Sequence, residues 1–193
     1  MKILKNSLKT DFLFQFKEGF FYIYLALCIV YLLILSIIPT NFLNISIPVL
    51  IFTDPAGVGL FFIGGILMLE KRQGSINYIL VTPLKIKEYI YSKIITLTFL
   101  AICVSLIISI FSKYNNNINY LFLILGTIST SILFTYLGII ISTKCSSLNE
   151  YFIKVLPWMF IFTLPCLSIL NKTYGKYFSF IPSVAGFRVI YGS

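Results

Sequence analysis

Two of the chain's six acidic residues stand where a carboxylate needs a reason. Asp54 interrupts an apolar run that otherwise extends from Asn41 to Leu69. An acid at membrane depth is costly and defaults to a functional role on an ion or substrate path. The order Thr53-Asp54-Pro55 also suits a helix start, with the acid capping free N–H groups and Pro55 in the first turn. Both readings stand at this stage. Glu70 marks the point where charge resumes after the apolar run. It can pair with Lys71, Arg72 or a later lysine, or reach a partner protein. Tyr31 and Tyr136 lie deep in apolar runs and join Asp54 as candidates for lining a path for an aromatic or cationic molecule. Tyr22, Tyr24 and Trp158 sit nearer run ends, where an interfacial belt accounts for them.

Other chemistries drop out. The chain has no histidine, so Ser-His-Asp and Cys-His catalysis and histidine-held zinc or haem are excluded. No G-x-x-x-x-G-K-[ST] stretch occurs; the nearest miss, Gly59 to Gly64, runs on into Gly65 and Ile66. The chain therefore lacks a P-loop for ATP. Cys28, Cys103, Cys145 and Cys166 form no C-x-x-C pair, and three of them lie in apolar runs as small hydrophobes. No catalytic residue, no metal and no cofactor in this chain is expected.

Such residues need elements to hold them, and composition says which. Of 193 residues, 59% are hydrophobic and 11% charged, against roughly 25% charged in a soluble domain. The reading is an all-α integral membrane protein with one transmembrane domain over 1–193. Uncharged stretches of about 20 residues predict five spans, at about 19–38, 49–69, 94–112, 120–143 and 155–170. A lead-in at 1–18 precedes the first. The apolar piece Tyr177 to Phe187 is too short and broken to span and reads as interfacial or re-entrant, dipping in beside spans one and five. Ser129, Thr130, Ser131 and Thr135 read as packing and hydrogen-bonding residues between helices.

The net charge of +9 belongs to the membrane ends rather than to a nucleic-acid surface. Eleven basic residues fall on the N-terminal tail and the 70–93 and 144–154 loops, and four on the other side. The richer side is cytoplasmic, which puts the N-terminus inside. Lys71 and Arg72 read as positive-inside anchors, and Lys93 as an anchor snorkelling at the start of span three.

The 70–93 loop is the most polar stretch. Gly74-Ser75 can end one helix and cap another. Ile76, Ile79 and Leu80 fall on one face of a short helix. Thr82-Pro83 restarts the chain, with Pro83 in a first helical position. The apolar stripe suits a membrane-surface anchor or a partner's groove.

From Leu69 to Lys93, through Glu70, Gly74, Ser75, Leu80, Pro83 and Lys93, the loop resembles the cytoplasmic loop of bacterial type-2 ATP-binding-cassette (ABC) exporter permeases. Asp54-Pro55 with Gly57, Gly59 and Phe61, and the stretch from Lys9-Thr10-Asp11 to Phe20, resemble the drug-export branch. The resemblance implies a bacterial plasma-membrane permease subunit that forms the substrate path. It implies two copies of a separate ATPase subunit, carrying ATP and magnesium, that contact the 70–93 loop. A second permease copy, identical or not, completes the assembly within lipid. Glu70, Gly74, Ser75, Ile76, Ile79, Leu80 and Pro83 become the expected coupling residues. Relatives of that kind have six spans, so the expectation is a shortened form with Ser193 outside. A different class, a non-transport immunity or assembly factor, would bind its partner through the same loop. A neighbouring gene for a P-loop ATPase separates the two.

Overall fold

The computed structural model describes residues 2–74, 85–111, 119–167 and 181–192. Among these every regular element is helical. Helix α1 (Lys2–Lys17) is followed by α2 (Phe20–Ile37). Then α3 (Thr40–Thr53), a π-helical segment (Asp54–Gly59) and α4 (Leu60–Arg72) form one uninterrupted run. Helices α5 (Ile86–Phe111), α6 (Tyr120–Ser142), α7 (Leu148–Leu167) and α8 (Pro182–Tyr191) complete the chain.

By length and apolarity, α2, α5 and α6 can each cross a membrane. The run from α3 to α4 is continuous, so Asp54 sits inside a helix rather than at its start. Pro55 has no N–H to give to the carbonyl four residues back, and a wider π turn absorbs that lost bond.

Helix α6 is the central element. It packs on α3, the π segment, α4, α5, α7 and α8. In lipid, helix association rests on close packing and interhelical hydrogen bonds rather than on transfer from water. Both are visible here. Phe52 of α3 meets Phe134 of α6 and Phe187 of α8 edge to face, at 5.9 and 5.1 Å between ring centres. Thr98 of α5 and Ser131 of α6 share a hydrogen bond of 3.1 Å. Thr130 and Ser129 instead return their hydroxyls to carbonyls of their own helix.

The C-terminal piece differs from its expected place. Residues 182–191 are a helix buried against α6, α3 and α7, that is, beside spans two, four and five. Pro182 stands in the first turn, where its missing N–H costs nothing. Gly186 lets α8 lie against Thr130, where a Cβ would collide with the threonine methyl. The Ser183 hydroxyl donates to the Phe162 carbonyl at 2.7 Å.

Candidate functional site

Helix α5 carries Tyr89, Ser92, Lys93 and Thr96 at i, i+3, i+4 and i+7, one polar stripe on an otherwise apolar helix. Helix α1 faces it with Asp11 and Gln15 at i and i+4. Helix α4 ends beside both, with Glu70 in its last turn. The three helices bring Lys93 between two carboxylates. Its Nζ lies 2.7 Å from Asp11 Oδ1 and pairs with Glu70 Oε1. Lys93 is 0% exposed, Asp11 6% and Glu70 5%.

One cation serves two acids, and hydroxyl donors make up the difference. The Tyr89 hydroxyl donates to Glu70 Oε2 at 2.5 Å, and the Ser92 hydroxyl donates to Asp11. Ser7 of α1 donates to Ser92 Oγ at 3.0 Å. One turn deeper, Gln15 Nε2 donates to Thr96 Oγ1 at 2.8 Å, and that hydroxyl donates to the Lys93 carbonyl at 3.0 Å. The Lys93 ammonium also lies 5.0 Å from the Tyr89 ring centre and 5.7 Å from that of Phe14. Buried charges persist only when paired and hydrogen-bonded; here all three are. Lys93 is thus a buried ion-pair centre, not a snorkelling anchor. Helix α5 begins at Ile86 and carries it two turns inside.

The cluster stands at both mouths of the 70–93 loop, Glu70 at the exit of α4 and Lys93 near the start of α5. Further ties hold the same end. Gly74 closes α4 in left-handed backbone, φ +70°, which glycine adopts freely. Gln73 Nε2 donates to Glu18 Oε1 at 3.2 Å. Lys71 Nζ donates to the Cys145 carbonyl at 3.0 Å, joining α4 to the turn after α6. Lys71 therefore holds two helix ends together. Ser75, Ile76, Ile79, Leu80 and Pro83 lie outside the described residues.

Asp54 is the second locus. It is 1% exposed and neither carboxylate oxygen has a hydrogen-bond partner. The helix-cap reading is overturned, because α3 precedes Asp54 without a break and leaves no free N–H groups for it to cap. Tyr24, Cys28 and Tyr31 of α2, at i, i+4 and i+7, stand within electrostatic reach of it. The Tyr24 hydroxyl faces the carboxylate without closing a hydrogen bond of ordinary geometry and is itself unpartnered. The Thr135 hydroxyl of α6 is also buried and unpartnered. It lies between Phe134, which meets Phe52, and Gly138, which abuts Leu60 and Ile63. That puts it on the stretch of α6 packed along the π segment. Tyr136 is 52% exposed and points away from this locus. The structure therefore brings Tyr31 to Asp54 and leaves Tyr136 outside.

Sequence reasoning passed over Asp11, Gln15, Tyr89 and Tyr151 as site residues. The first three had a signal, polar residues at helical spacing on otherwise apolar faces. Tyr151 had none. It is fully buried and donates to the Leu60 carbonyl at 2.7 Å, just where the π segment returns to α-helix.

Long apolar helices able to cross a membrane, with a charged cluster locking the helices on either side of a polar loop, describe a multi-pass membrane protein. The chain belongs to the fluoroquinolones export permease protein family, whose model matches residues 2–192. It is 24% identical over 153 residues to the fluoroquinolones export permease proteins of two strains of Mycobacterium tuberculosis. Each match covers 79% of this chain and 64% of the relative. The chain thus spans under two thirds of the length of those relatives. No solved structure matches it. The drug-export permease expected from the loop and the second span is the family found.

Proposed function

We propose that the chain is the membrane-spanning permease part of an ATP-driven exporter of drug-like amphiphiles in the bacterial plasma membrane, with its N-terminus in the cytoplasm. A separate ATPase subunit, in two copies, engages the 70–93 loop, and a second permease copy completes the path. Five spans carry it: α2, the run from α3 to α4, α5, α6 and α7. Fluoroquinolones, named for the relatives, are the first substrates to test.

The observation that supports this reading best is the Asp11–Lys93–Glu70 cluster. A loop that transmits force needs both of its ends fixed to each other and to the body of the protein. Lys93 and Glu70 fix the two ends to each other, and Asp11 fixes them to α1. Movement of the loop with the ATPase is then delivered as rigid movement of α1, α4 and α5. Alternating access requires helices that move as such a body between two arrangements.

The test is uptake of a fluoroquinolone into inside-out vesicles carrying the chain and its partner ATPase. Uptake is expected to need ATP. It is expected to vanish in the Ile76→Asp/Ile79→Asp double variant, which should also lose ATPase co-purification while still inserting in the membrane. Full co-purification by that variant would make the loop a membrane anchor only. Orientation is read separately from single cysteines at Ser75 and Asn116 in a cysteine-free background. An impermeant maleimide applied to intact cells should label the second and spare the first.

A further inference from the structure

Asp54 is the one described acid that is neither exposed nor hydrogen-bonded through its carboxylate. Glu70 and Asp11 are equally buried but share Lys93. Glu150 is paired with Lys154 at the surface. Around Asp54, the titratable groups that face it are Tyr24, Cys28 and Tyr31, all on α2. The helices packed on the π segment (α3, α4, α5, α6 and α7) bring no charged side chain to it among the described residues. An ionised carboxylate cannot be held in such a place. It is neutralised by a proton or by a cation that is absent from the folded chain alone. A cationic ligand suits it for a second reason. Tyr24 and Tyr31 supply aromatic faces, and the unpartnered Tyr24 hydroxyl adds a polar contact next to them.

The route to this carboxyl is set by α2. Only 17% of the α2 span is buried, against 56% for α5 and 50% for α6. Tyr24, Cys28 and Leu35 face inward, while Leu25, Ile29, Val30, Leu33 and Ile34 are exposed. Helix α2 is thus a wall of the site whose outer face is open to the bilayer. A ligand arriving past it comes from the bilayer and must be amphipathic.

We propose that Asp54 is the acceptor for the ammonium group of an aromatic amphiphile that enters from the bilayer past α2, and that the carboxyl carries a proton when no such ligand is bound. The pathway role of this site rests on the permease reading above. Occupancy of the carboxyl does not, and it is measured on the full chain without any ATPase.

The experiment is modification by dicyclohexylcarbodiimide, which attacks protonated carboxyls in apolar surroundings, followed by peptide mapping. The purified chain in detergent is expected to be modified at Asp54 and not at Asp11 or Glu70, both of which are ion-paired to Lys93. Naphthylmethylamine should suppress the modification about tenfold, as one charge-assisted hydrogen bond allows. Its neutral counterpart naphthylmethanol should leave it unchanged. Directly measured by naphthyl fluorescence, Asp54→Asn should weaken amine binding about tenfold and alcohol binding not at all. An unmodified Asp54 would overturn the proposal, and so would equal protection by the two probes or equal binding of the amine by the Asn variant. Should labelling and protection hold while vesicles show no ATP-driven uptake, the permease reading falls and the ammonium site stands. ATP-driven uptake without labelling or protection gives the reverse.

Discussion

Asp54 and the pair Asp11 and Glu70 are buried to nearly the same degree, yet they meet opposite electrostatic surroundings. The pair shares a lysine, two serines and a tyrosine hydroxyl at the end of the helix bundle that flanks the loop. Asp54, midway along the run from α3 to α4, is faced by the unpartnered Tyr24 hydroxyl and by no charged side chain among the described residues. The lesson is that burial alone does not assign a carboxylate its role. What decides is whether a neighbouring helix delivers a cation. Where one does, the acid is a fastener with a fixed charge. Where none does, the acid is open to a proton or to a ligand's charge.

This contrast orders the effects of substitution. Lys93→Met leaves two buried carboxylates uncompensated and should destabilise the chain by about 3–5 kcal/mol, measured by denaturant unfolding in micelles. Neutralising the acids as well, in Asp11→Asn/Glu70→Gln/Lys93→Met, should recover most of that loss, since the cost comes from unpaired charge. A triple variant as unstable as the single one would mean that shape, not charge, holds the cluster.

Tyr151 marks an intermediate case, a buried polar group satisfied by one neutral hydrogen bond. Tyr151→Phe should cost about 1 kcal/mol in the same assay. A loss matching that of Lys93→Met would place the structural centre at the π segment rather than at the ion cluster.

Asp54→Asn should shift stability by less than about 1 kcal/mol, because an amide replaces a carboxyl that no partner holds. A loss of the size expected for Lys93→Met would show that Asp54 is charged and paired.

The exposed pair sets the lower end. Lys154, then the backbone N–H and hydroxyl of Ser146, hold the Glu150 carboxyl at about 2, below its ordinary 4.5. A depressed carboxylate adds stability above its ordinary value and loses it as pH falls through about 2. In solvent that contribution is screened, so Glu150→Gln should match the parent at neutral pH within error. A difference between the two that grew on acidification would have the wrong sign.

How much of this could be read beforehand follows from the kind of signal each feature leaves. Helices α2 and α6 lie where long uncharged runs put them, because such runs are a one-dimensional signal. Helix α5 begins at Ile86, eight residues before the span placed at 94–112, because the helix expected to restart after Thr82-Pro83 runs on from the loop into the span. Only the fold reveals that Lys93 has carboxylates from α1 and α4. Asp11 and Lys93 are 82 residues apart, and nothing local announces their meeting. Asp54 was visible as an anomaly, but its setting was not. Thr-Asp-Pro starts many helices, and only the continuous α3 and the π turn show that this one does not. Gly74 as the end of α4 follows from backbone chemistry that glycine carries in itself, whereas Pro182, read as breaking the C-terminal piece, stands in the first turn of its helix.

The central claim is that Asp11, Lys93 and Glu70 act as one unit that fastens α1 to both ends of the loop. A double-mutant cycle tests it most directly. Unfolding free energies are measured for the parent, Asp11→Asn, Lys93→Met and the combination. A coupling between the two sites of about 1–3 kcal/mol is expected. Additivity to within about 0.5 kcal/mol would contradict it, leaving α1 and α5 as neighbours rather than a single fastened body.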